Sequence, residues 1–139
     1  MRRFLTHYLP LIIWLAFISF ASSDNFNAGN TSRIIGPLVL WLFPGTSAET
    51  LATIHFITRK LAHFSEYAIL GFLAARAFRP SPRWFLISAL LVIVYALLDE
   101  YHQSFIPSRT ASVFDSLIDM AGGLTALIFL SRKGAKTQS

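Results

Sequence analysis

The sequence predicts an all-α membrane protein: a bundle of four transmembrane helices with a short re-entrant or interfacial segment between spans one and two. Three observations carry that expectation. Of the 139 residues, 54% are hydrophobic and only 14% are charged, far from the balance of a soluble globule. The apolar residues gather into long runs. The Lys and Arg residues sit in short clusters between those runs. The length suits a single domain.

The same features narrow the function. No cysteine is present, which excludes disulfides, thiolate chemistry and zinc sites of the cysteine type. A net charge of +5 invites a nucleic-acid reading, but clusters separated by apolar runs do not form a basic groove, and no nucleic-acid partner is expected. The clusters read instead as the topology signal of a polytopic membrane protein, with anionic lipid as a diffuse partner. No nucleotide loop or nucleophile elbow appears.

The first span covers about residues 4–20. Arg2 and Arg3 before it, and Ala21, Ser22 and Ser23 after it, imitate a secretory signal and its cleavage site. Further hydrophobic runs follow, so an uncleaved span is expected. A polar loop rich in Asn, Asp and Gly then runs from Ser22 to Arg33. Residues 34–44 are apolar around Gly36 and Pro37, but crossing a bilayer needs about 20 residues, so this piece reads as re-entrant or interfacial, anchored by Trp41.

Thr46-Ser47-Ala48-Glu49 has the capping-box spacing, so a helix should begin near Ser47. With no Pro or Gly until Gly71 it can continue to Phe78, about 48 Å at 1.5 Å per residue. That exceeds the bilayer core of about 30 Å, so its first turns lie outside the core or along its surface, and the second span is about 58–78. Leu51, Ile54, Ile57 and Leu61 recur at helical steps as its membrane-facing stripe.

Arg76, Arg79 and Arg83, with Pro80 and Pro82, mark a tight basic turn. The third span, about 84–102, has an aromatic residue near each end. Ser104, Pro107, Ser108 and Thr110 form a short polar loop, the fourth span is about 112–130, and 133–139 reads as a disordered tail. Four spans put both termini on one side. Arg2, Arg3, Arg76, Arg79, Arg83, Arg132, Lys133 and Lys136 share that side, against Arg33, Arg59, Lys60 and Arg109 on the other. The richer face should be cytoplasmic, which places both termini in the cytoplasm.

In that topology three sets of ionisable residues meet at the outer face: Lys60, His63 and Glu66 opening span two, Asp99, Glu100 and His102 closing span three with Gln103 beside them, and Asp115 and Asp119 opening span four. At about 100° per residue, Lys60, His63 and Glu66 fall within an arc of about 120° on one helix side. Asp115 and Asp119 share a face that continues through Ser112, Gly122 and Ala126, residues small enough for close helix approach. A purely structural reading is that these groups pair and hold the helices in register. Interhelical hydrogen bonds in membranes average only about 0.6 kcal/mol, whereas an ionisable group at mid-helix costs about 2.5–3.5 kcal/mol, so glue alone is an inefficient use of acids.

The functional reading is a polar pocket open to the outer leaflet. Lys60 and Arg109 would hold phosphate, Gln103, Asp115 and Asp119 would complete the ligand-binding set, and Glu66, His63, Asp99, Glu100 and His102 are the candidate acid–base residues. His63, Glu66, Asp99, His102 and Asp115 are also suitable metal donors, but no metal-binding spacing is present, and neither metal nor cofactor is called for. His7 and His55 read as interfacial side chains without a role.

Two stretches then resemble the VanZ-like membrane protein family. Arg59-Lys60-Leu61-Ala62-His63-Phe64-Ser65-Glu66-Tyr67, followed by Leu70-Gly71, is one. Asp99-Glu100-Tyr101-His102-Gln103, followed by Phe105, Pro107, Arg109 and Asp115, is the other. The resemblance implies one domain over 1–139, a small bacterial membrane protein whose name-giving member is linked to reduced susceptibility to the glycopeptide teicoplanin. It names an envelope process more firmly than a reaction. Pro107-Ser108-Arg109 stands where Pro-Gly-Arg is expected, and Asp119 where the family often has Asn.

Three functions fit these residues. The first is binding of an anionic lipid or lipid-linked saccharide, with membrane lipids, a lipid-linked cell-wall precursor among them, as partners. The second is an acid–base lipid transferase or hydrolase using Glu66 or Glu100 with a histidine. The third is a proton-coupled transporter or flippase, for which four spans without a visible inverted repeat are a poor match.

Overall fold

In the computed structural model the chain is described at Arg2 and at residues 4–23, 28–106 and 112–136, with the side chains of 28–32 and 134–136 outside the description. These residues are helical throughout, apart from short joints, and form no strand. A π-helical turn, Phe4–Tyr8, leads into α1, Leu9–Ala21. Pro10 in the first turn of α1 has no N–H to donate backwards, and the winding changes from π to α beside it. Then come α2, Ala28–Leu42, α3, Ala48–Phe78, α4, Trp84–Gln103, and α5, Val113–Lys136.

Among the described residues three segments are long and apolar enough to cross a membrane: Phe4–Ala21, Trp84–Gln103 and Val113–Lys133. α3 is longer than any of them but carries Arg59, Lys60, His63 and Glu66 through its middle, and by composition it stands outside that set. Ser47 caps α3, its hydroxyl accepting from the Thr50 amide at 3.2 Å. The cap therefore falls one residue later than the expected box, because the Thr46 hydroxyl is turned back onto the Phe43 carbonyl at 2.7 Å. The helix then runs unbroken to Phe78, as the absence of early Pro and Gly predicts.

Two expectations need correction. The polar loop stops short of Arg33, since α2 already begins at Ala28. Asn, Gly, Thr and Ser are weak helix formers, but α2 packs on α3, with the inner face of Gly36 against His55, and tertiary support overrides propensity. Pro37 sits inside the helix without a chain reversal, so the segment itself makes no re-entrant bend. The second correction is at the other terminus. α5 continues past Leu130 to Lys136, so residues 133–136 of the expected disordered tail are helical. Residues 137–139 lie outside the described residues.

α5 packs along α3 and α4, and α3 also packs on α4 and α1. The close approach of α3 and α5 depends on glycine. A Cβ at Gly122 would strike the Phe64 backbone, and one at Gly71 would strike the backbone of Gly123. Below this contact Tyr67, Leu70, Val92 and Ile18 form a fully buried core with Ala74, Ala77 and Ala96.

The polarity of the bundle is inverted relative to a soluble protein. Asp99, Asp115 and Asp119 are buried, while Val94, Leu98, Ile13 and Phe129 are exposed. In water this arrangement would leave apolar surface unsatisfied and acids desolvated; in hydrocarbon it is the favourable one. Polar groups concentrate at one pole, where the ends of α1 and α4 meet the middle of α3 and the start of α5. Arg76, Arg79 and Arg83 mark the opposite, basic pole, with the α5 C-terminus and the π-helical turn beside them.

Candidate functional site

The polar pole is assembled from four helices. On α3, Lys60, His63 and Tyr67 are three and four residues apart, which turns all three onto the face that meets α5. Lys60 forms an ion pair with Asp115, and Arg59 reaches the second carboxylate oxygen of the same residue at 3.9 Å. One turn deeper, His63 Nδ1 faces Asp119 Oδ1 at 3.2 Å without the alignment of a hydrogen bond. The Tyr67 hydroxyl, fully buried below them, has no hydrogen-bond partner. Ser116 is buried beside Asp115.

α4 adds its last turn. Asp99 and Gln103, four residues apart, share the inward face, and the Gln103 amide donates to Asp99 Oδ2 at 2.9 Å. The same amide lies 3.4 Å from the Ser22 hydroxyl at the end of α1. Glu100, rotated by about 100° from Asp99, accepts from the Ser112 backbone amide ahead of α5. This contact ties the joint between α4 and α5 to the first of them.

The structure divides the predicted residues into groups. It brings Lys60, His63, Asp115 and Asp119 together between α3 and α5, and Asp99 and Gln103 together beside α1. Glu66 is half-buried and turned towards α1, its backbone carbonyl accepting from Trp14 Nε1 at 2.9 Å. His102 is exposed on the outer flank of α4, away from the ion pairs. There it lines a cavity of about 280 Å³ with Ser19, Tyr95, Leu98 and Asp99, between α1 and α4. Arg109, with Pro107, Ser108 and Thr110, lies outside the described residues.

Some participants escaped the sequence reading. Tyr67 repeats the spacing of Lys60 and His63 and was discoverable from it. Arg59 sits one residue from the predicted stripe, yet its guanidinium length lets it reach Asp115. Ser22 belonged to no charged motif and gave no signal. Of the two histidines without an assigned role, His55 packs beneath α2 and His7 faces the basic pole.

Chemically the site is an excess of acceptors. Asp115 faces Lys60 and Arg59, and Asp119 faces His63, while Asp99 is held by Gln103 and Glu100 by the Ser112 amide; among the described residues Glu100 Oε2 and the Tyr67 hydroxyl are buried without a partner, and His63 Nδ1 and Asp119 Oδ1 have only each other, out of hydrogen-bond alignment. Among the described residues no group of three or more His or acidic side chains is arranged to hold a metal ion. The acids are distributed over separate interhelical contacts.

A chain whose described residues form membrane-length apolar helices, with Asp99, Asp115 and Asp119 buried between helices, is a membrane protein. The family model described as VanZ/LLP1 matches residues 7–133, and the chain belongs to that family. No curated protein matches it, and no solved structure does.

Proposed function

We propose that this protein is a multi-pass protein of the bacterial inner membrane that binds the head group of an anionic lipid or lipid-linked saccharide at the outer leaflet. In this reading α3 from about residue 58 is a fourth span beside α1, α4 and α5, the chain is one domain, α2 rides at the interface, and both termini are cytoplasmic. The asymmetry of Lys and Arg between the two poles supports that orientation.

The observation that carries the proposal is the unused hydrogen-bonding capacity at the polar pole. Buried polar atoms are normally paired, because each one left unmade costs about 1–3 kcal/mol. Among the described residues Glu100 Oε2 and the Tyr67 hydroxyl are buried without a partner, and His63 Nδ1 and Asp119 Oδ1 have only each other, at 3.2 Å and out of hydrogen-bond alignment. Sugar hydroxyls donate to carboxylates and accept from tyrosine, so a saccharide is a suitable complement. Lys60 and Arg59 would meet the phosphate by exchanging Asp115 for it, with Arg109 as a further cation. The cavity between α1 and α4 opens beside Asp99, a lateral approach for a lipid head group from the membrane.

Binding a lipid-linked wall precursor would connect the site to the glycopeptide phenotype for which the family is named. The test is replacement by Lys60→Gln, Glu66→Gln, Asp99→Asn and Arg109→Gln, followed by teicoplanin susceptibility and by mass spectrometry of lipid retained on the purified protein. Loss of both readouts in protein that still inserts is expected. Retention of both would refute the reading. A second reading, acid–base lipid chemistry, is favoured by the His63 and Asp119 contact, which sets a carboxylate oxygen 3.2 Å from an imidazole nitrogen. Turnover of labelled envelope lipids by purified protein, lost in His63→Gln, is its signature.

A further inference from the structure

At the basic pole, the ends of three helical segments leave a groove of about 300 Å³ lined by His7, Phe72, Ala75, Arg76, Arg79 and Leu130. We propose that this groove binds the phosphodiester head group of an anionic phospholipid, at the end of the bundle opposite the polar chamber.

The groove has two chemically distinct halves. Arg76 in the last turn of α3 and Arg79, which caps that helix in helical backbone conformation, stand three residues apart and therefore project on the same side, with His7 facing them from the π-helical turn. Phe72 and Ala75 lie one turn further into the bundle, and Leu130 of α5 closes the apolar side. Cationic groups at the rim and hydrocarbon beneath them match a lipid whose phosphate sits at the interface and whose chains run inward.

The cations are positioned as well as present. The Arg79 guanidinium lies over the Trp84 ring at 4.7 Å, which restricts its orientation before any ligand arrives. Thr6 Oγ1 lies 2.6 Å from His7 Nδ1 and fixes that ring. Ala75 is buried and small, so the approach between the α3 backbone and Leu130 stays open. The described acids, Glu49, Glu66, Asp99, Glu100, Asp115 and Asp119, all stand on the stretches that lead to or form the other pole, so none neutralises these cations. Arg132 and Lys133 share the basic pole but do not line the groove, and they supply the control for a merely diffuse attraction.

The test uses full-length protein in nanodiscs of mixed phosphatidylglycerol and phosphatidylcholine, with retained lipid counted by native mass spectrometry. Wild-type protein should retain phosphatidylglycerol preferentially, Arg76→Gln/Arg79→Gln should lose that preference by about tenfold, equivalent to about 1.4 kcal/mol, and Arg132→Gln/Lys133→Gln should keep it. Equal loss in both double variants, or no preference in wild type, would overturn the proposal. Displacement of the lipid by millimolar inorganic phosphate would also overturn it, in favour of a free-anion site. If the first double variant does not fold, photocrosslinking decides: Phe72→benzoylphenylalanine should capture phosphatidylglycerol in excess of its share of the bilayer, whereas Phe129→benzoylphenylalanine, beneath Lys133 and off the groove, should capture the two lipids in their bulk ratio. The bulk ratio at both positions would contradict the site.

Discussion

Lys60 of α3 and Asp115 in the first turn of α5 close an ion pair across 55 positions of sequence, with the carboxylate buried and the lysine still one-fifth exposed. The pair joins the two helices that pack most extensively on each other. Its role is therefore partly structural, whatever else binds there.

Removing one partner should expose that role. Lys60→Met leaves Asp115 buried with only the more distant Arg59, and should destabilise the protein by about 3 kcal/mol, the lower end for breaking a buried pair because the lysine is not fully desolvated. Lys60→Met combined with Asp115→Leu should recover most of the loss. Thermal unfolding of purified protein in one detergent reads both, and equal destabilisation by the single and double variants would contradict the pairing.

Glycine at the helix contact should be equally unforgiving. Gly122→Ala places a methyl against the Phe64 backbone and should cost about 1–3 kcal/mol by forcing α3 and α5 apart. Gly45→Ala, with open space around it, should be nearly neutral. The same unfolding measurement compares them.

Tyr67 should show the opposite sign. Its buried hydroxyl has no partner, so Tyr67→Phe removes an unmet polar group and should leave stability unchanged or raise it by about 1 kcal/mol. If the hydroxyl belongs to a binding site, the more stable variant should bind head groups less well. Parallel unfolding and lipid-retention measurements separate the two effects.

The cap at Ser47 is a local test of the fold. Ser47→Ala removes the acceptor for the Thr50 amide and should cost about 1 kcal/mol, whereas Thr46→Ala should cost less because its hydroxyl bonds only the Phe43 carbonyl. Urea-dependent helicity of the two variants orders them.

Much of this architecture was readable because it rests on strong local rules. Spacing alone put Lys60 and His63 on one face and Asp115 and Asp119 on another, and a single unbroken helix brings the first pair opposite the second. The start of α2 was not readable, because Asn30, Thr31 and Ser32 favour a loop locally and only docking onto α3 makes them helical. His102 looked equivalent to Gln103 in the sequence, but one residue is about 100° of helix, enough to turn one outward and the other inward. Ser22 enters through a contact between chain ends 81 positions apart, which no local pattern encodes.

The measurement closest to the central claim is the affinity of purified protein in nanodiscs for a fluorescent polyprenyl-diphosphate-linked saccharide. Asp99→Asn and Asp119→Asn, both buried at the polar pole, should each weaken binding by at least about tenfold, while Glu49→Gln on the exposed first turn of α3 should leave it unchanged. Wild-type affinity in all three variants would contradict head-group binding in the polar chamber.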